Sequence, residues 1–199
     1  MCALWEEIDM KKIICALLAG VLALSLCACA RDAQAGMSIA PTAFSEETMD
    51  VLKLLGDDIQ FYDLSLDGSV KSFVLSLWVY RDGEWFEDGK MYGGSDTLGR
   101  RIAIRQTETG VDLYNISETG REKCSYQALD TPFEESLGIA GTKIDGKTPI
   151  ELNRELPIWV KVGTTSNRME VLDITQDFRE MECNAGIAVT LTLSDEVVE

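Results

Sequence analysis

The chain has 199 residues and a formal charge of −16 at pH 7, from 34 acidic and 18 basic side chains. A surface this anionic repels phosphate backbones, which excludes nucleic acid as a partner. The sequence contains no histidine, so it also excludes imidazole bases, Ser-His and Cys-His nucleophiles and His-ligated zinc.

The first organised segment covers residues 10–29. Lys11 and Lys12 precede an apolar run of 14 residues, Ile13 to Leu26, and the motif Leu26-Cys27-Ala28-Cys29 closes the segment. A short positive region followed by an apolar run and a small-residue end is typical of an export signal.

The closing motif resembles the lipobox of bacterial lipoproteins, in which a branched apolar residue stands three positions before a cysteine and a small residue stands directly before it. The resemblance implies that Cys29 receives a diacylglyceryl group and that residues 1–28 are a cleaved signal peptide. It also implies an extracytoplasmic protein anchored to the bacterial cell membrane, with acyl chains such as palmitate as its contact with the lipid bilayer. Cys27 is the alternative acceptor, although the bulky Leu26 before it fits the motif less well.

Two other interpretations of this segment stay open. An uncleaved membrane helix needs about 20 apolar residues, whereas this run reaches 18 only when it is counted to Ala30. A simply secreted protein would be cut at an Ala-x-Ala site, which residues 28–30 match loosely. The three acids within residues 6–9 oppose export, which predicts that translation starts at Met10.

Without residues 1–28 the chain keeps two cysteines besides Cys29, namely Cys124 and Cys183. In an oxidising compartment they are candidates for a disulfide that closes a loop of about 60 residues, worth roughly 4 kcal/mol in the chain-entropy model. The alternative is two separate buried thiols. Two cysteines alone do not decide between these alternatives.

After the lipidated cysteine, residues 29–43 are small and polar without a periodic apolar pattern, which predicts a flexible tether. Ser45 to Leu55 then has a cap residue, acids in its first turn and a broad apolar stripe, and Gly56 follows it. These features predict a helix whose stripe another part of the chain covers. We expect one folded domain over residues 44–199.

From Ile59 onward the apolar residues alternate with polar ones, which is the period of β-strands. Residues 132–149 are rich in glycine and proline and are predicted as a looser segment. Some eight or nine antiparallel strands with one N-terminal helix predict an all-β fold, a β-sandwich or alternatively a small β-barrel. The predicted strands are 59–66, 73–79, a partner after the turn at 82–83, 100–107, 111–116, 121–129, 158–162, 169–174 and 187–193.

The turn at Asp82-Gly83 carries the most distinctive group of side chains. If these two residues form a tight hairpin, Tyr80 pairs with Trp85 and the pleat places Trp78, Tyr80 and Trp85 on the face opposite the apolar residues of the strand. Such a platform would stack against a glycan or anchor an envelope protein. The alternative is that the predicted helix or a second sheet covers the three rings as ordinary core.

Carboxylates are the chemistry that the mature chain retains. Residues 1–28 carry three acids and two lysines, so their removal leaves 31 acids and a charge of −15. A paired-acid hydrolase needs two carboxylates at a set separation, but so many acids form close pairs by chance and a solvated acidic face is expected. No calcium-binding loop or phosphate-binding glycine motif occurs, so no metal and no cofactor is assigned. The candidate pairs are Asp57 with Asp58, Asp63 with Asp67, Glu134 with Glu135, and Asp173 with Asp177.

Three function classes follow. The leading prediction is a non-catalytic binding or interaction module tethered to the membrane. The second is a structural or accessory lipoprotein of the envelope without a small ligand. The third is a carboxylate-based hydrolase, which predicts two facing acids in a cleft, at least one of them with a perturbed pKa.

Overall fold

Antiparallel strands make up most of the described chain. The computed structural model describes residues 36–54, 58–127, 133–168 and 173–197. The predicted signal peptide, the start at Met10 and the lipidation at Cys29 or Cys27 therefore lie outside the described residues. The helix α1 is Glu46–Leu54, and the strands are β1 Ser38–Pro41, β2 Asp58–Ser65, β3 Ser72–Arg81, β4 Glu84–Gly94, β5 Arg101–Gln106, β6 Gly110–Ile116, β7 Arg121–Gln127, β8 Gly138–Lys143, β9 Thr148–Pro149, β10 Leu156–Thr164 and β11 Ala185–Ser194.

The strands form two sheets. The first sheet has the order β7-β6-β5-β2-β1-β9 and the second β4-β3-β11-β10-β8, and every neighbouring pair is antiparallel. The predicted all-β sandwich is thus confirmed. The described residues form eleven strands instead of eight or nine, and their two sheets stay separate rather than closing into a barrel.

The main core lies between the two sheets and follows from alternation along the strands. In β3, Phe73, Leu75 and Leu77 are buried, and they join apolar residues of β2, β5, β6 and β11 in one cluster. Each such side chain contributes about 1.5–3 kcal/mol on burial. The Tyr62 hydroxyl of β2 donates a hydrogen bond of 3.1 Å to the Ile158 carbonyl of β10, so a polar group inside the core is satisfied.

Strand β1 contradicts two predictions. It lies within residues 29–43, which were predicted as a flexible tether, and before residue 44, the predicted start of the domain. Ile39 is 0% exposed and lies opposite Leu64 of β2 and Thr148 of β9. The residues from Gly36 onward form one compact unit. A strand of four residues is too short to show a period of two, which is why the sequence did not reveal it.

Strands also occur in the segment predicted to be loose. Residues 132–149 contain β8 and β9. The glycines of β8 are accommodated because this strand is the edge of the second sheet and pairs only with β10. Of the predicted strand 169–174, residues 169–172 lie outside the described chain, and Ile174 is in a turn.

Helix α1 begins where the sequence predicts. The Ser45 hydroxyl accepts a hydrogen bond of 3.3 Å from the Thr48 amide, as expected of an N-cap. The expected cover over its apolar stripe is missing among the described residues: no residue of α1 is buried, and Leu54 is 86% exposed.

The candidate disulfide between Cys124 and Cys183 does not form. Both thiols are free. Cys124 lies opposite Leu113 and packs against the main core, whereas Cys183 belongs to a second apolar cluster with Val160 and Ala188. The second sheet separates the two clusters, and a disulfide needs Cα atoms within about 7 Å of each other. The alternative of two separate thiols describes the structure.

Candidate functional site

The hairpin between β3 and β4 is built as predicted. Asp82 and Gly83 have φ values of 54° and 89°, the left-handed conformation that a two-residue turn between antiparallel strands requires. The register pairs Tyr80 with Trp85 and Trp78 with Glu87.

The three predicted rings share the outer face of the second sheet, away from the main core. Trp78, Tyr80 and Trp85 are each half-buried and pack against the second apolar cluster. The centroids of Tyr80 and Trp85 are 5.5 Å apart. The indole of Trp85 lies on the backbone of Gly186 in β11, where an added Cβ would come within 2.5 Å of its Cη2. A glycine is therefore needed there for the ring to lie against the sheet.

Residues 173–184, here called the covering loop, lie over these rings. Phe178 of this loop is 0% exposed, with centroid distances of 4.8 Å to Trp85 and 6.1 Å to Trp78 in edge-to-face arrangements. The Asp177 carboxylate accepts a hydrogen bond of 3.0 Å from the Arg179 amide and so fixes the short turn that carries Phe178. The alternative named the predicted helix or a second sheet as the cover, and neither lies here: the covering loop partly buries the rings instead.

Polar groups close the edge of this aromatic cluster of Trp78, Tyr80, Trp85 and Phe178. The Arg179 guanidinium lies 4.0 Å from the Trp78 ring centroid and 2.7 Å from a Glu155 oxygen. The other Glu155 oxygen accepts hydrogen bonds from the Trp78 indole at 3.1 Å and from the Thr190 hydroxyl at 2.8 Å. The rings of the cluster thus contact one another, and the indole N–H of Trp78 is bonded to Glu155 within the protein. A glycan or envelope-protein partner at these rings stays a prediction.

The thiol and phenol of this region are neutral at pH 7. Burial raises the pKa of the Cys183 thiol to about 11. Burial and, to a smaller extent, Cys183 raise the pKa of Tyr80. Because a thiol is nucleophilic only as the thiolate, Cys183 acts here as a small apolar residue.

Three acids from the predicted pairs serve local structure. Asp63 bonds to Arg101 at 2.6 Å, Asp67 caps the turn at Ser69, and Asp173 caps the turn at Thr175. A general acid requires a carboxyl pKa raised toward the operating pH, which is the opposite of what the shifted carboxyl groups show. Those with a shifted pKa are all lowered: Glu47, Asp63, Asp67, Glu87, Asp112 and Asp173. The described ranges bring no three metal-ligating side chains together.

A second candidate site is an apolar groove between α1 and the outer face of the first sheet. It consists of two cavities of about 250 and 200 Å³ that share Leu52, Ile59 and Phe61 as walls. The second cavity is completed by a floor from β5 and β6, namely Ala103, Tyr114 and Ile116. We call this the groove.

Strand register explains the shape of the groove. Phe61, Ala103 and Tyr114 are neighbours across β2, β5 and β6, so the small Ala103 lies between two rings and leaves depth above it. Phe44 packs edge-on against Phe61 with centroids 5.2 Å apart, which holds the start of α1 at one end of the groove. The Arg101 guanidinium lies 5.5 Å from the Phe44 ring and closes that end.

The groove was missed in the sequence because its walls lie on the strand faces opposite the core residues. Ile59 and Phe61 alternate with the core residues of β2, and Tyr114 and Ile116 do so in β6. Apolar residues on both faces of a strand were the available signal.

Comparison with protein-family models, curated proteins and solved structures finds no match for this chain. In the part of the chain that the structure describes, no helix combines the length and the hydropathy needed to cross a membrane.

Proposed function

We propose that this chain is a bacterial lipoprotein, held at the extracytoplasmic face of the cell membrane by a diacylglyceryl group on Cys29. The lipobox-type motif that ends at Cys29 supports the anchor, as does the apolar run before it. β1 begins at Ser38, nine residues after Cys29. A connection of that length spans about 30 Å at most, so the sandwich is held close to the bilayer.

We propose further that the sandwich is a non-catalytic binding module and that the groove receives an apolar ligand. The observation that carries this is the exposed apolar side of α1 beside an apolar floor. A helix of nine residues is marginal without packing. An apolar molecule in the groove would bury Leu52 on the helix side and Phe61 on the sheet side together.

The anchor is tested by growing bacteria that express the full chain with an alkyne analogue of palmitate. We expect the chain to carry the label and to sediment with the membrane. Cys29→Ala should lose the label, whereas Cys27→Ala should keep it. A label that survives Cys29→Ala and disappears with Cys27→Ala would transfer the anchor to Cys27, and an unlabelled native chain would refute lipidation.

The groove is tested with a medium-chain aliphatic alcohol that carries a photoreactive diazirine, added to isolated membranes containing the full chain. We expect the label on peptides covering residues 49–61 and 103–116. Leu52→Ser removes a wall shared by both cavities and should lower labelling about fivefold, since it removes roughly 1 kcal/mol of apolar contact. The matched control is Leu54→Ser, which changes the same residue type two positions away at an exposed site. Equal labelling of the two variants would refute the groove as a binding site.

A further inference from the structure

The charged residues that line the groove are all cations among the described residues. They are Lys53 at one end and Arg105 and Arg121 at the other, in a chain where acids outnumber bases by 34 to 18. Lys53 pairs with Asp50 at 3.1 Å on the exposed side of α1. The charged side chains of the groove are thus positive, whereas the net charge of the molecule is negative. The end with Arg105 and Arg121 is the cationic end of the groove.

The register of the first sheet shows how this charge arises. Across β2, β5, β6 and β7 the outer face carries one row with Asp63, Arg101, Ile116 and Arg121. Asp63 of this row and Asp112 of another row are both ion-paired. Asp63 bonds to Arg101 at 2.6 Å, and Asp112 bonds to Lys123 at 2.9 Å. Arg121 has no ion-pair partner within the described residues, and its exposed side chain follows Ile116 at the end of the apolar floor.

An arginine at the end of an apolar channel suits a ligand with two parts. The guanidinium donates two parallel hydrogen bonds to a carboxylate, while Phe61, Ala103 and Tyr114 contact an aliphatic chain. The two cavities of about 250 and 200 Å³ form a groove at the small end of the range for ligand sites, which begins at about 300 Å³. This size suits a single aliphatic chain.

We infer that the groove binds a single-chain fatty acid, with the carboxylate at Arg121 and the chain along the apolar floor. This inference rests on the proposed function, because it names the ligand of the same groove. The net charge of −16 by itself repels an anion. A preference for the acid over a neutral analogue is therefore a signature of the local cations.

The test compares two photoreactive probes of equal chain length, the carboxylic acid and the alcohol, on isolated membranes containing the full chain. Such membranes lack the soluble ATP and CoA that would attach the acid to other molecules. We expect the acid to label the groove peptides about threefold more than the alcohol, the factor that an exposed ion pair of up to about 1 kcal/mol provides. Arg121→Gln should abolish this preference. Arg168→Gln, which removes an equal charge from an exposed site on the β10–β11 connection, should retain it.

The outcomes separate the two proposals. Equal labelling by acid and alcohol, or a preference that persists in Arg121→Gln, would overturn the fatty-acid inference while the groove still binds apolar molecules. Absence of labelling by both probes would overturn the proposed function itself.

Discussion

Phe178 is the residue through which the covering loop is attached to the second sheet. It is fully buried, it contacts Trp78 and Trp85 edge-to-face, and the Arg179 guanidinium lies 4.3 Å from its ring centroid. Edge-to-face pairs add about 0.5–1.5 kcal/mol to the stabilisation from burial. Phe178 and the ion pair between Arg179 and Glu155 therefore hold the middle of the loop, while the buried Cys183 and the bond from the Asn184 amide to the Gly163 carbonyl hold its end.

Replacing Phe178 with alanine should lower the free energy of unfolding by about 3 kcal/mol, the lower end of the range for buried phenylalanines, because the surface loop can partly collapse. Urea unfolding followed by tryptophan fluorescence measures the change. Phe86→Ala is the matched control: Phe86 is 38% exposed on β4 of the same sheet and should cost less than 1 kcal/mol. Similar costs for the two variants would show that the loop does not depend on Phe178.

At the scale of elements, β1 makes the predicted tether part of the core. Ile39→Ala should cost about 2–5 kcal/mol, since it empties a site that is 0% exposed. Ile139→Ala in β8 makes the same chemical change at a site that is 51% exposed and should cost under 1 kcal/mol. Thermal unfolding of both variants compares them directly. If Ile39→Ala is as mild as Ile139→Ala, β1 does not contribute to the core.

Elements whose signal is local were predictable from the sequence. The positive φ values at Asp82 and Gly83 are local properties of the turn, so the hairpin register followed from two residues. Non-local or irregular features were not predictable from the sequence. The register shift between Pro157 and Trp159 places Ile158 in the main core, although Val160 belongs to the second cluster. Simple alternation along the strand would place these two side chains on one face.

At the scale of the molecule, both candidate sites depend on contacts between distant parts of the chain. The aromatic cluster lies on the outer face that β3 and β11 share and is covered by residues 173–184. The groove forms because β2 lies beside β5 in the first sheet. In the sequence these two strands are separated by β3 and β4, which belong to the second sheet. Periodicity places a residue on a face of its strand, but it does not tell which strand or loop will lie next to that face.

The acidic composition of the whole chain also sets how its stability should respond to pH. The side chain of Asp112 is 5% exposed and bonds to Lys123 at 2.9 Å. Burial opposes its ionisation, but hydrogen bonds from Lys123, Ser125 and Tyr114 outweigh burial and lower its pKa. Burial likewise opposes the ionisation of Asp63, and Arg101 lowers its pKa. Such groups release protons more readily in the folded state than in the unfolded state.

A carboxyl pKa that is lower in the folded state stabilises the protein above the unfolded value of about 3.9, and this stabilisation is lost as the pH falls through the folded value. Relief of charge repulsion near the isoelectric point, about 4.4, acts in the opposite direction. We therefore expect the free energy of unfolding to change little between about pH 7 and 5 and to fall below about pH 4. Asp112→Asn should cost about 1–2 kcal/mol at pH 7, and its curve should converge with that of the native chain as the pH falls through the lowered pKa of Asp112. Chemical unfolding across this pH range measures both curves, with exposed Glu118→Gln as the control that should follow the native curve. Parallel curves for Asp112→Asn and the native chain would mean that the ion pair with Lys123 does not contribute to acid sensitivity.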